Sequence, residues 1–208
     1  IRDAHAAFVK AGAEIIITST YQVSFPGCIA KGWTHQEVVD ALELSVELAR
    51  DANSPKVAAS IGPYGAYLAD GSEYRGKYKV SEQELVDFHK ERLEILIACK
   101  PDYLAIETIP EIREARVLLN LLRELKNEIP VWIAFSCKDE IHLCSGESFK
   151  DAAMLSKGTT QNSKQYISDL EIEKKRIVAK VDWMRRTGLG KVSPLASNNR
   201  VRIGQPRK

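Results

Sequence analysis

The stretch Asp102-Tyr-Leu-Ala-Ile-Glu-Thr-Ile-Pro110 decides how the rest of the chain is interpreted. A short apolar run ends on the carboxylate of Glu107, and a proline that can open a helix follows two residues later. This pattern predicts a buried parallel strand that delivers Glu107 to the loop above a sheet. Because an unpaired buried carboxylate is costly, Glu107 either pairs with a basic group, caps the next helix or serves a ligand.

Three more segments have the character of short buried strands: Ala13–Thr20, Lys56–Ile61 and Val131–Cys137. Helical segments alternate with them and are predicted at Ile1–Ala11, from Thr34 to about Ala52, from Ser81 to Cys99, and from Pro110, at the first helical position, to about Asn127. Two of these begin with capping boxes, and the helix after Thr34 is expected to bury Val38, Leu42, Leu44, Ser45 and Leu48. The alternation predicts a parallel α/β sheet, either open and doubly wound or part of a (β/α)8 barrel.

All four predicted strands end in polar residues, which is where both architectures place function. The four ends are Thr20-Tyr-Gln22, Ser60-Ile-Gly-Pro-Tyr64, Glu107-Thr108 and Ser136-Cys-Lys138. We expect them to converge on one mouth, which favours the ligand interpretation of Glu107. The segments 23–33 and 62–80 are predicted to be loops, and the second is rich in tyrosine.

Composition limits the classes of protein. The chain has 208 residues, of which 44% are apolar and 28% charged, as in a globular domain. It contains no apolar run of about eighteen residues and no signal-peptide pattern, so no membrane association is predicted. Its four cysteines form no CxxC pair, which favours a reduced, cytoplasmic setting.

The charge is divided unevenly along the chain. Residues 1–155 carry a formal charge of −7, whereas the residues from Ser156 onward carry +9. We therefore predict two parts: an α/β domain over 1–155 and a basic extension over 156–208. In the extension, Gln165–Arg186 is predicted to form an amphipathic helix and the remainder to be disordered. The extension has no nucleic-acid-binding module or aromatic stacking platform, so no nucleic-acid partner is expected.

General catalytic motifs are missing from the sequence. Gly62-Pro-Tyr-Gly65 is not a phosphate-binding loop, and there is no Gly-x-Ser-x-Gly nucleophile elbow. The four histidines, His5, His35, His89 and His142, have no metal-binding spacing and are predicted to be surface or packing residues.

Several motifs together resemble one known family. Ala11-Gly-Ala-Glu-Ile-Ile-Ile-Thr-Ser-Thr-Tyr-Gln22 is similar to the second strand of the homocysteine S-methyltransferases. The block from Ser60-Ile-Gly-Pro-Tyr-Gly65 to Gly71-Ser-Glu-Tyr-Arg-Gly76 resembles the branch that uses S-methylmethionine or S-adenosylmethionine as methyl donor. Phe88-His89 with Arg92, Glu107-Thr-Ile-Pro110 and Phe135-Ser-Cys-Lys-Asp139 continue the resemblance in order, over about residues 1–155.

The resemblance implies a (β/α)8 barrel that transfers a methyl group from a sulfonium donor to homocysteine and gives methionine. Glu107 matches the position that holds the homocysteine amino group. The resemblance also places further substrate-binding residues at the mouth: Thr20, Tyr21, Gln22, Gly62, Tyr64 and Ser136. The tyrosine-rich loop either covers the sulfonium donor or packs on the barrel rim.

The family holds zinc through three cysteines, and here the sequence departs from the pattern. Cys28, Cys99, Cys137 and Cys144 do not match the family's ligands, so no metal ligand or catalytic residue is assigned and zinc is not expected to bind. The matching motifs correspond to about strands two to five of the barrel, so an incomplete barrel of doubtful activity is predicted. The alternative is a non-catalytic partner that associates with an intact family member through its open sheet edges.

Overall fold

A computed structural model of the chain describes residues 1–53 and 56–156. Its helices and strands alternate along the chain as predicted. In order, the elements are α1 (Arg2–Lys10), β1 (Ile15–Ile17), α2 (Phe25–Ile29), α3 (His35–Arg50), β2 (Lys56–Ile61), α4 (Tyr64–Leu68), a 3-10 turn (Ser72–Tyr74), α5 (Glu82–Ala98), β3 (Tyr103–Ile109), α6 (Ile112–Glu124), β4 (Val131–Phe135) and α7 (Phe149–Ser156).

The four strands form one parallel sheet in the order β1-β2-β3-β4, which confirms the predicted parallel α/β architecture. The helices α1, α3, α5, α6 and α7 contact one another in chain order and so form a single layer. Among the described strands the order never reverses, as it would in a doubly wound sheet. The sheet is therefore singly wound, and the carboxyl ends of all four strands lie on the same side of the molecule.

The two capping boxes begin their helices where the sequence predicts. At α3, the Thr34 hydroxyl accepts a hydrogen bond from the Glu37 N–H, and the Glu37 carboxylate accepts one from the Thr34 N–H at 2.7 Å. At α5, Ser81 and Glu84 make the same reciprocal pair. One helix-face prediction is wrong: the side chain of Leu44 is exposed, because the apolar stripe of α3 continues through Val38, Leu42, Val46 and Ala49 instead.

The predicted loops contain short helices. In segment 23–33, Ser24 adopts an extended N-cap conformation and Pro26 occupies the first turn of α2, so the chain can form one turn of helix there. In segment 62–80, Pro63 is the N-cap residue of α4. Pro110 does not open α6 as predicted, because β3 continues to Ile109 and Glu111 becomes the N-cap residue.

The core lies between the sheet and the helix layer. Its fully buried side chains come from every layer and include Leu42, Ile61, Leu85, Leu96, Leu104, Ile106, Leu118 and Leu121. None of the helices in the described ranges is long and apolar enough to cross a membrane. The helix predicted at Gln165–Arg186 and nearly all of the predicted extension over 156–208 lie outside the described residues.

Candidate functional site

Hydrogen bonds join the ends of β1, β2 and β3. The Ser60 hydroxyl, at the end of β2, donates to the Glu107 carboxylate of β3 at 2.7 Å. The Thr20 hydroxyl, just after β1, donates to the Ser60 carbonyl at 2.6 Å. Thr20 is fully buried, so its side chain serves to hold Ser60, whereas Glu107 is half-buried and borders the mouth.

Tyr21 and Gly62 meet through their backbones at the same place. The Gly62 N–H donates to the Tyr21 carbonyl at 3.2 Å. A Cβ at position 62 would overlap this carbonyl, so glycine is required for the close approach. The ends of β1 and β2 are thus held together by both side-chain and backbone contacts.

The Tyr21 phenol remains neutral at physiological pH. Burial raises the pKa of Tyr21 well above its usual value, and the Thr108 side chain acts in the opposite direction. The nearby Glu73 charge and, to a smaller extent, the Glu107 charge raise the pKa further. The mouth therefore presents the Glu107 carboxylate together with a neutral hydroxyl that can donate a hydrogen bond. This combination suits a ligand with an ammonium group and an adjacent acceptor.

The other predicted site residues lie on the surrounding loops. The exposed side chain of Gln22 donates to the Ala66 carbonyl at 3.3 Å. The ring of Tyr64 packs against Tyr67, Tyr78 and Phe88, which shows that much of the tyrosine-rich loop packs on itself. Ser136, after β4, donates its backbone N–H to the Ile109 carbonyl at 2.9 Å and so continues the pairing of β3 with β4.

A buried charge network, which the sequence interpretation missed, lies beneath the mouth. It consists of His89 and Arg92 on α5 and Glu114 on α6, all at most 1% exposed. An Arg92 Nη2 donates both to the Gly62 carbonyl and to His89 Nδ1, at 2.8 Å each. The Glu114 carboxylate lies 2.9 Å from His89 Nε2 and accepts the Tyr64 N–H at 2.6 Å.

These contacts determine the protonation of His89. Arg92 can only donate, so His89 Nδ1 must accept and the proton of a neutral ring resides on Nε2, facing Glu114. Burial is the largest effect on His89 and lowers its pKa, which keeps the ring neutral. Burial also lowers the pKa of Arg92, to about 10, so the guanidinium stays charged at neutral pH and balances Glu114.

The network fixes the backbone on which the site is built. Arg92 also donates to the Val23 carbonyl at 3.3 Å, so it contacts the loops after both β1 and β2. The sequence carried one signal of this role: His89 and Arg92 are one helical turn apart on a face that is otherwise apolar. Glu114 likewise stands beside Ala115, Val117 and Leu118 on the buried face of α6.

The described residues do not fit a zinc site. Nowhere in 1–53 and 56–156 do three His, Cys, Asp or Glu side chains come together in a group that could hold a metal. Burial raises the pKa values of Cys99 and Cys137, which disfavours the thiolate form that zinc requires.

The fold and the site define a class: an α/β protein with polar side chains gathered at the carboxyl ends of parallel strands, where such architectures place their ligand sites. The family model described as "Homocysteine S-methyltransferase" matches residues 1–163. The chain belongs to the homocysteine S-methyltransferase family, which confirms the resemblance found in the sequence.

Individual relatives agree. Homocysteine S-methyltransferase 1 of Zea mays is 46% identical over 169 residues, which cover 73% of this chain and 52% of that protein. Homocysteine S-methyltransferase 2 of Arabidopsis thaliana is 32% identical over an alignment that covers 91% of this chain and 71% of that protein. The metallated form of the homocysteine methyltransferase MmuM from Escherichia coli superposes with a TM-score of 0.73 at 37% identity, covering 77% of this chain and 59% of that one. The chain thus spans about half the length of most of the curated relatives it matches, with 52% coverage of the maize protein.

Proposed function

We propose that this chain provides the homocysteine-binding part of a homocysteine S-methyltransferase, with β1–β4 corresponding to strands two to five of an incomplete (β/α)8 barrel. Family membership, the singly wound sheet and the half-length match support this proposal. The substrate in this proposal is homocysteine, and the methyl donor is a sulfonium compound.

The observation that carries the proposal is the position of the Glu107 carboxylate. It lies half-buried at the end of β3, where the Ser60 hydroxyl orients it by a 2.7 Å hydrogen bond. A fixed carboxylate at a partly desolvated strand end attracts the ammonium group of an amino acid more strongly than one in water would. The neutral Tyr21 hydroxyl beside it adds a donor for the same ligand.

Within the proposed reaction, these residues bind and orient the amino-acid end of homocysteine. In methyl transfer, a bond forms between the homocysteine sulfur and the methyl carbon while the bond from that carbon to the sulfonium sulfur breaks. The thiol proton is released, the product is the thioether of methionine, and the donor leaves as a neutral thioether. In the family, zinc would favour the deprotonated, thiolate form of the homocysteine thiol. The described residues do not provide that site, so we assign them no zinc-dependent step.

The test is calorimetric titration of the full chain with L-homocysteine under reducing conditions. We expect saturable binding that Glu107→Gln weakens by about 10- to 100-fold, because a hydrogen bond to a charged group contributes about 1.5–3 kcal/mol. Glu124→Gln, which changes an exposed carboxylate on α6, is the matched control and should leave binding unchanged.

Folded protein that does not bind homocysteine would contradict the proposal, as would equal binding by the Glu107→Gln variant. A parallel assay with zinc, homocysteine and S-methylmethionine measures methionine formation. Turnover that a chelator abolishes would show that the chain holds zinc through ligands not assigned above.

A second candidate function is that of a non-catalytic partner of an intact family member. The observation that favours it is the pairing of the outer strands: within the described part of the chain, β1 pairs only with β2, and β4 only with β3. Open edges of this kind can add strands from another chain. Stable co-purification with a full-length family member, without homocysteine binding, would favour this function over the first.

A further inference from the structure

The residue after Glu107 adopts a backbone conformation that its side chain disfavours. Thr108 has φ +63°, in the left-handed region that a β-branched residue rarely enters. It stands in a disturbed part of the sheet, since Ile106 pairs with Ile133 but Ile109 pairs with Phe135. Three steps along β3 therefore match two along β4, so β3 carries one extra residue, a bulge.

The bulge changes which side chains reach the mouth. In a regular strand, the adjacent residues Glu107 and Thr108 would point to opposite faces of the sheet. Here both are half-buried: Glu107 accepts the hydrogen bond from Ser60, and the Thr108 side chain lies close enough to the Tyr21 phenol to lower its pKa against the effect of burial. Both interactions are with residues at the neighbouring strand ends, so the strained residue brings two polar groups into one site.

We propose that Thr108 is a positioning residue for amino-acid binding at this mouth: its left-handed conformation orients the Glu107 carboxylate, and its hydroxyl orients the Tyr21 phenol. This inference rests on the proposed function. Strain of this kind persists only where the surrounding structure compensates for it, and here the compensation is the contact with the loop after β1.

A bulge that serves only the fold would behave differently on substitution. Thr108→Gly and Thr108→Ala both remove the hydroxyl, but only glycine relieves the strain. If Thr108 matters only for folding, ligand affinity follows stability and the glycine variant binds at least as well as the alanine variant. If Thr108 positions the site, the order is reversed, because glycine frees the segment that holds Glu107.

The experiment measures the urea midpoint and the L-homocysteine dissociation constant of the full chain and three variants. We expect Thr108→Gly to have a higher urea midpoint than Thr108→Ala. We expect Thr108→Ser to bind like the parent chain, Thr108→Ala to bind about two- to tenfold more weakly, and Thr108→Gly to bind no better than Thr108→Ala.

A control separates the mouth from left-handed residues elsewhere. Lys126 also has a positive φ, +50°, but it is exposed and lies before β4, on the side where the strands begin, opposite the mouth. Lys126→Gly should raise the urea midpoint without altering homocysteine binding. Unchanged affinity in both Thr108→Ala and Thr108→Gly, or stronger binding by the glycine variant than by the alanine variant, would overturn the proposal.

If the parent chain is folded but binds no homocysteine, the proposed function fails, and this result is distinct from the outcomes above. The positioning role is then decided by the ζ-carbon NMR shift of Tyr21 in the unliganded chain. It should move in Thr108→Ala and Thr108→Gly and stay in place in Thr108→Ser, and no movement in the first two would overturn the proposal. If the glycine variant does not fold, the alanine and serine variants still test the role of the hydroxyl, because only the serine variant retains it.

Discussion

Glu107 and Glu114 are two carboxylates in opposite surroundings. Glu107 ends half-buried at the mouth and accepts a hydrogen bond from a serine hydroxyl. Glu114 is fully enclosed beneath the mouth and is tied to His89 and to the backbone of Tyr64. The first has a side that a ligand can approach, whereas the second is accessible only to the protein.

The two carboxylates therefore have different electrostatic roles. Glu114 compensates the buried Arg92 charge, and Arg92 in turn holds the Gly62 and Val23 carbonyls. Glu107 depends on that framework, because Ser60 precedes Gly62 by only two residues. We therefore expect substitutions at Glu114 to act on folding and substitutions at Glu107 to act on binding.

The largest expected effect is that of Glu114→Gln. Glu114 is linked to the Arg92 guanidinium through His89, and the substitution leaves that buried charge uncompensated, which costs about 3–5 kcal/mol. Urea unfolding of the full chain measures the loss. Glu124→Gln on the same helix is the control, and as a change at an exposed position it should fall within about 0.5 kcal/mol of the parent. A loss below about 1 kcal/mol at Glu114 would mean that Arg92 is compensated by other groups.

An intermediate effect is expected from the pH dependence of His89. Its folded pKa lies below the unfolded value of 6.5, so below about pH 6.5 the unfolded state binds more protons. The contribution is complete above that pH and is lost as pH falls toward the folded pKa. One proton limits the slope to about 1.4 kcal/mol per pH unit, and the measurement extends from about pH 7 down to about pH 5.

The His89 contribution is measured as the difference in urea stability between the parent and His89→Gln across that pH range. Glutamine can still donate toward Glu114 but does not titrate. The same substitution at the exposed His35 is the control and should leave the pH slope of the parent in place. Parallel pH profiles for the parent and His89→Gln would show that the buried ring does not resist protonation.

The sequence predicted the local parts of this structure well. The bounds of β2, the two capping boxes and the polar strand ends each depend on neighbouring residues, and the structure has all of them. The short helices α2 and α4 were missed, because one turn of helix between a proline and a glycine leaves too little periodicity to detect.

Long-range pairings could not be predicted from the sequence in the same way. His89, Arg92 and Glu114 come from two helices, and their partners Gly62 and Tyr64 come from a loop. Periodicity locates polar residues on apolar faces but does not say which of them meet. The bulge at Thr108 depends on the register of β3 against β4, which local propensity does not encode.

The smallest effect is expected at a third carboxylate, that of Glu84, which belongs neither to the mouth nor to the buried network. Glu84 is exposed and serves only the start of α5: hydrogen bonds from the Ser81 N–H and hydroxyl lower its pKa. Ser81→Ala removes the hydroxyl that accepts the Glu84 N–H and should cost about 1 kcal/mol in urea unfolding. Ser81→Asp, which keeps an acceptor at the cap, should recover most of that loss, and neither variant should alter homocysteine affinity. A change in affinity in Ser81→Ala would show that the start of α5 is coupled to the mouth through Arg92, so that the division between folding and binding carboxylates would not hold.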